Sequence, residues 1–410
     1  MVSIESVSAD DPSTAAALSE LSRQVEDFGA DTRFLYAFYG CGHDDAAIHH
    51  MLRQSFPRAA IIGGTSCGGV MTAAGVGSAS SIGLLAIMDD EGSYGVASTS
   101  LEGDIAGVAR DTLERALARA ECPGELPELI WIYQAPGHEE VVLEGLRSVV
   151  GDNCPIIGGS SADDDVSGRW RQLGTDGVLT DGLTVAVLFP SGGVGLGFQG
   201  GYEPTGKSGI ATQVVYDTQA KNGTVTAVGG RYVREIDGEP AAVVYDRWLG
   251  GALADKLGKS ERQNILADTT IAPLGIESSG SDQAEHFRLV HPEAILPGDG
   301  LATFADIAPG TRIHCMQGDR TRLIERAGRV AQKARADLER SDNTLAGGIM
   351  VYCAGCRIAV DKDIGQVADA VRESLGPVPF IGCFTFGEQG SVLDRNVHGN
   401  LMISAIAFGA

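Results

Sequence analysis

The sequence predicts a mixed α/β fold in which helix-strand-helix-strand units repeat and form layered sheets in two domains. Three observations carry that expectation. Residues 34–69 (FLYAFYGCGHDDAAIHHMLRQSFPRAAIIGGTSCGG) align without a gap on residues 129–164 (LIWIYQAPGHEEVVLEGLRSVVGDNCPIIGGSSADD), so Gly42-His43 falls on Gly137-His138 and Ile61 through Ser66 on Ile156 through Ser161. A third, diverged copy occupies about 347–391, from GGIMVYC to VPFIGCFTFGEQG. Each copy is preceded by a segment with apolar residues three and four apart, the spacing of one buried helix face.

In chain order, STAAALSELSRQVEDF reads as the first such helix and FLYAFY as a strand buried on both faces. Gly42-His43-Asp44-Asp45 then opens a helix, since acids in a first turn complement the helix dipole. Apolar AAIIGGTS closes the unit as a second strand. The second unit repeats this with DIAGVARDTLERALARA, LIWIYQ, Gly137-His138-Glu139-Glu140 and PIIGGSS. Gly-rich PSGGVGLGFQGG marks a boundary, so the domains are expected at 1–195 and 196–410. Residues 200–315 are strand-rich, with an Asn222-Gly223 hairpin turn and a strand, Gly turn and helix in GRYVREIDGEPAAVVYDRWLGG. The third unit reads as helix TRLIERAGRVAQKARADLE, strand GGIMVYC, loop AGCR, a helix near 363–375 and strand VPFIGCF.

Composition excludes several function classes. A formal charge of -23 and a pI near 4.6 oppose nucleic acid and anionic membrane surfaces, because both attract basic proteins. The start, MVSIESVSADD, lacks the basic and apolar regions of a signal peptide, and Gly or charge breaks every long apolar run, so a cytoplasmic protein without a membrane span is expected. Eight cysteines in 410 residues are too few for a disulfide scaffold, and most are expected as buried, reduced thiols.

Two motifs match enzyme patterns in the wrong context. GYEPTGKS (201–208) fits the phosphate-loop pattern, but strand-like GIATQVVYDTQAKNGTVTAV follows where a phosphate-binding helix is required. Acidic LLAIMDDE precedes that loop instead of following it. Gly64-Thr65-Ser66-Cys67-Gly68 fits the nucleophile elbow of serine hydrolases, yet Gly-rich GGVMTAAGVGSASSIG follows rather than a helix. A hydrolase using Ser66 is therefore the weakest reading.

The segments IIGGTSCGGVMT, PIIGGSSADDD, REIDGEPA, VYCAGCR and above all PFIGCFTFGEQGS resemble the FIST family, named for F-box and intracellular signal transduction proteins, over roughly residues 15–405. IATQVVYDTQAKN after Ser208 departs from that pattern by adding length. The resemblance implies a FIST N-like domain, a FIST C-like domain and a non-catalytic sensory protein that binds a small, amino-acid-like polar ligand. Its partner would be a separate signalling protein such as a histidine kinase. Stand-alone bacterial members described as haem-containing nitric oxide sensors supply the alternative; on that reading His49, His50, His314 and His398 are the candidate haem ligands.

The residues themselves suggest where a ligand would sit. Gly-Gly-Ser/Thr-Ser at strand ends turns amides outward beside two hydroxyls, so Thr65, Ser66, Ser160 and Ser161, with Asp163 beyond them and Thr385 of the third copy, are expected to line one cleft. The alternative is that these hydroxyls cap backbone groups. Arg357 and Glu388, with Gly387, are expected at neighbouring strand ends, either receiving a zwitterionic ligand or bracing the strands as a pair. Cys353-x-x-Cys356 with nearby Cys383 lacks the second ligand pair of a zinc site and reads as structural thiols.

Overall fold

A computed structural model describes residues 2–221, 224–278, 286–393 and 395–410, of which 216–221 and 224–229 are described by backbone alone. The expected Asn222-Gly223 turn lies outside the described residues. Each of the three repeats nucleates a six-stranded sheet of the same construction. In the first, Ser3–Asp10, Ser81–Met88, Phe34–Tyr39, Ala60–Thr65, Gln172–Gly174 and Gly177–Leu179 lie side by side. Only the central repeat strands, Phe34–Tyr39 and Ala60–Thr65, are parallel; every other neighbour is antiparallel.

The second sheet has the order Ser93–Ser100, Gly182–Phe189, Leu129–Gln134, Ile156–Ser160, Glu388–Val392, Arg395–Gly399. The third has Val194–Gly200, Met402–Gly409, Leu345–Cys353, Phe380–Thr385, Met71–Thr72, Gly75–Val76. In each sheet the terminal hairpin comes from another repeat. The hairpin after the first Gly-Gly strand completes the third sheet, that of the second repeat completes the first, and that of the third completes the second. This cyclic exchange interlocks the N-terminal and C-terminal halves.

Strand period explains the core. Phe34, Tyr36, Phe38, Trp131, Tyr133, Ile349, Val351, Ile406 and Phe408 point inward and form one aromatic-rich cluster shared by the three sheets. Their alternates, such as Leu35 and Ala37, Ile130 and Ile132, or Met350 and Tyr352, pack outward under helices. Those are Thr14–Gln24 with Asp45–Ser55, Ile105–Arg119 with Glu139–Val150, and Arg320–Glu339 with Ile364–Leu375. Both faces of the central strands are therefore covered, which is why they read as unbroken apolar runs.

Residues 203–317 add an antiparallel sheet around Glu203–Lys221 and Thr224–Ile236, packed on helix Ala241–Trp248. GYEPTGKS opens its long strand and pairs with Arg312–Gln317, so no helix receives the loop, and the Lys207 ammonium donates to the Trp248 carbonyl. Asp89 of LLAIMDDE accepts from Tyr94, Gly92 and Ser191 and ties two loops together. One local expectation is corrected: AGCR is not a loop but the start of helix Ala354–Val360. Ala354, Cys356 and Val360 bury one face of that turn, and Gly355 serves close approach, since a Cβ there would lie 2.7 Å from Leu401 Cδ2.

Candidate functional site

The site begins where the three parallel strand pairs end. Gly63 and Gly158 hold equivalent positions, with φ of +156° and +155° and parallel partners Ala37 and Ile132. A Cβ would meet the Ala37 and Ile132 carbonyl oxygens at 1.8 and 1.9 Å, so only glycine permits this approach. Past the glycines the three ends hydrogen-bond in a closed cycle. The Ala162 amide donates to the Thr65 carbonyl (3.3 Å), Cys67 to Phe384 (3.1 Å), and Phe386 to Ser160 (3.0 Å).

The strand-end hydroxyls are fully buried and engaged within this ring. Thr65 Oγ1 accepts from the Arg171 amide at 2.9 Å. Ser66 Oγ donates to the Gly69 carbonyl (2.5 Å) and accepts from the Phe384 amide (2.9 Å). Ser161 Oγ donates to the Gln134 carbonyl and accepts from Gln172 Nε2. Buried Asp163 folds its own loop by accepting from the Val166 and Arg169 amides. Thr65, Ser66 and Ser161 thus bond backbone groups, as in the capping arrangement weighed against ligand binding, whereas Ser160 and Thr385 donate to the Glu139 and Glu388 carboxylates. A turn and strand Met71–Thr72 follow Ser66, and neither of its hydrogen-bond partners is a base.

Arg357 and Glu388 do not meet, which corrects the expected pair. Helix Ala354–Val360 carries Arg357 beyond the strand end, where its Nη2 donates to the Gly68 carbonyl (2.8 Å) and its guanidinium lies 5.2 Å over the Phe384 ring. Glu388 is fully buried beside Thr385, whose hydroxyl donates to Oε1 (2.8 Å), while the Met402 amide donates to Oε2 (3.0 Å). Burial first, and Cys353 second, push its carboxyl well above the usual carboxylate range.

A second polar cluster lies where the helix start of the second repeat meets the C-terminal half. Ser160 Oγ donates to Glu139 Oε1 at 2.7 Å. Arg231 Nη2 bridges Glu139 (2.8 Å) and Glu140 (2.7 Å), and its Nε donates to Asp306 (3.1 Å). His398 Nδ1 lies 2.9 Å from Glu140 Oε1, while Nε2 faces Gly387, where a Cβ would come within 2.5 Å. Burial works to raise both glutamates, but Arg231 and His398 outweigh it and hold Glu139 below, and Glu140 well below, their ordinary range. From sequence Glu139 and Glu140 read only as dipole-favoured helix starters; their partners Arg231 and His398 come from segments more than 90 residues away.

The structure also has a cavity that no motif in the sequence foreshadowed. It measures about 770 Å³, within the range of small-molecule sites. Phe198, Leu289 and Met402 give it apolar walls, Arg326 and Lys333 of helix Arg320–Glu339 supply positive charge, and Asp337 of the same helix and Asp152 supply negative charge. Ser391, Val392 and Leu393 of the third-repeat hairpin line another side, next to Ile157 of the second repeat. His286 reaches this cavity, whereas the four histidines singled out from sequence do not line it. His49 contacts the Thr175 carbonyl, His50 is exposed, His314 lies edge-on to Phe287, and His398 belongs to the glutamate cluster.

Comparisons with known proteins bear on the whole chain. Residues 33–239 match the FIST N domain and residues 241–391 the FIST C domain. No curated protein matches. Among solved structures, a cyanuric acid hydrolase from A. caulinodans is 8% identical with a TM-score of 0.37, each chain covered fully. PurLQS from Thermotoga maritima is 9% identical with a TM-score of 0.21, covering 99% of this chain and 72% of that one. Both likenesses are too distant to carry an argument about fold or chemistry. The two domain matches span most of the sequence in the order in which the structure interlocks them: this chain belongs to the FIST family, whose domains are sensory domains of signal transduction proteins.

Proposed function

We propose that the chain is a non-catalytic sensor that takes a small, amino-acid-like polar ligand into the 770 Å³ cavity and passes its occupancy to a separate signalling protein such as a histidine kinase. One observation carries this reading: the cavity is walled by the hairpin that couples the halves of the molecule. Ser391 and Val392 belong to Glu388–Val392, whose first residues pair with Gly158 and Gly159 of the second repeat. A ligand lodged there presses on the element that completes the neighbouring sheet. Arg326 and Lys333 suit a carboxylate, and the apolar walls suit an uncharged side chain. A thermal-shift screen of amino acids tests this, because a ligand of the folded state raises its melting temperature. A shift lost in both Arg326→Ala and Lys333→Ala is expected; a shift unchanged in both variants would sink the proposal.

The same cavity supports haem as a second reading, through His286 rather than the histidines singled out from sequence. His286 offers an imidazole, Phe198 and Phe287 offer flat apolar walls, and Arg326 and Lys333 match two propionates. Haem would supply an iron that binds nitric oxide. A Soret band after haemin addition, shifted or lost in His286→Ala, favours this reading; a colourless protein that refuses haemin removes it.

A further inference from the structure

We propose that the cavity takes its ligand as a short extended peptide of about four residues, paired along the free edge of strand Val194–Gly200 and held at its two charged ends by Asp337 and Arg326. This deepens the sensory reading above and rests on the cavity being the ligand site.

The strand's hydrogen-bonding pattern carries the inference. Val194–Gly200 is the outermost strand of the third sheet and pairs with Met402–Gly409 alone. Leu196, Gly197, Phe198, Gln199 and Gly200 all line the cavity, so its wall here is the backbone edge of the strand. In an antiparallel pair, alternate residues turn both of their backbone groups toward the partner. The Gly193 carbonyl accepts from the Gly409 amide, whereas the Leu196 amide donates to Asp337 Oδ2 at 2.9 Å, so Leu196, Phe198 and Gly200 turn their groups to the open edge. Asp337 occupies one of them. Among the described residues no hydrogen bond reaches the Leu196 carbonyl, the Phe198 N–H and carbonyl, or the Gly200 N–H. Phe198 is 5% exposed, and an unmet backbone N–H at so buried a residue is costly. An added strand satisfies all four groups.

Charge sets the direction and length of that strand. Arg326 Nη1 donates to Gln199 Oε1 at 3.2 Å, which holds the guanidinium beside residue 199, while Asp337 stands at residue 196. Burial first and Arg329 second lower the Arg326 guanidinium from its ordinary value, and a carboxylate beside it offsets both. Lys333 lies between the two on the same helix and faces the middle of a bound chain. Asp337 also meets Arg340, but that arginine is exposed and solvent screens the pair. Asp152, the other acid of the cavity, is paired with Arg147. Residues 196 and 199 are about 10 Å apart along the strand, and residues 326 and 337 about 16 Å apart along the helix. The ammonium nitrogen and carboxyl carbon of a free amino acid are separated by about 2.5 Å, too little to serve both ends. With its ammonium at Asp337 and its carboxylate at Arg326, the peptide runs parallel to Val194–Gly200. Its second residue then donates to the Leu196 carbonyl and accepts from the Phe198 amide, and its fourth donates to the Phe198 carbonyl.

The test is isothermal titration calorimetry of the full chain with the unblocked tetrapeptide Ala-Leu-Ala-Leu, its N-acetyl and backbone N-methyl forms, and free leucine. The ladder reads backbone groups, so apolar side chains suffice in the probe. The tetrapeptide should bind at least about tenfold more tightly than leucine. N-methylation of its second or fourth residue should weaken binding by about tenfold or more, and of its third should not. N-acetylation should also cost about tenfold. Asp337→Asn, which keeps an acceptor for the Leu196 amide, should weaken the unblocked tetrapeptide by a similar factor and leave the N-acetyl form unchanged. The acetyl and methyl comparisons use the unaltered protein and stand even if that variant misfolds. Leucine binding as tightly as the tetrapeptide overturns the peptide proposal and leaves the amino-acid reading intact. Equal loss from every N-methyl position overturns the strand pairing, and binding of neither probe removes the cavity as the ligand site and both readings with it.

Discussion

Glu388→Gln keeps the shape of a fully buried side chain and abolishes its titration. In the unfolded chain this carboxyl ionises near about pH 4.3. In the folded protein, burial and Cys353 hold its proton to a much higher pH. A raised folded value means that its stabilising contribution is complete below about pH 4.3 and is lost as the pH climbs toward the folded value. For one proton the slope is about 1.4 kcal/mol per pH unit. Against this, glutamine can still accept from Thr385 Oγ1, but its amide nitrogen cannot accept the Met402 N–H that Oε2 accepts at 3.0 Å. That loss costs about 1–2 kcal/mol. Glu388→Gln is therefore expected to be the less stable protein at pH 4, to draw level near about pH 5–6, and to be the more stable at pH 7. Urea unfolding of both proteins at each pH measures the difference directly. Parallel stability curves from pH 4 to 7 would refute the reasoning, because Glu388 would then be ionised in the folded state at its ordinary pKa.

Gly63→Ala and Gly158→Ala should each destabilise the fold by several kcal/mol, about 3 or more, since the new methyl would force parallel strands apart. Exposed Gly42, where a Cβ meets nothing within 4 Å, should tolerate alanine within about 0.5 kcal/mol; equal losses at all three positions in thermal melts would contradict this. Thiol reagents followed by mass spectrometry should label Cys41 and Cys122 first in the native protein. Burial pushes the Cys67 and Cys154 thiols up to about 12 and shields Cys315, Cys353, Cys356 and Cys383. Rapid native labelling at Cys353 or Cys356 would instead mark that pair as reactive.

Much of the architecture was legible in the residues. Gly63 and Gly158 were readable as equivalents because the duplication preserves the one residue whose missing Cβ lets parallel strands approach. The third repeat was readable through Gly382, although Cys383 and Phe384 replace the second glycine and the first hydroxyl. AGCR was misread because Gly355 signals a loop locally, while the fold uses it for contact with Leu401. Arg357 was assigned to Glu388 by adjacency in the repeat, and one added helical turn carries it to Gly68 instead.

By itself the sequence determined the units: period-2 strands, amphipathic helices and glycines at strand ends are local properties, set by side-chain geometry over a few residues. Only the tertiary structure decided how the units close. The exchange of hairpins among the sheets, the cycle of hydrogen bonds linking Thr65, Ser160 and Phe384, and the meeting of Glu139 and Glu140 with Arg231, Asp306 and His398 join residues tens to hundreds of positions apart. The physical reason is that a hydrogen bond or ion pair leaves no periodic trace in the chain, whereas burial of a face does.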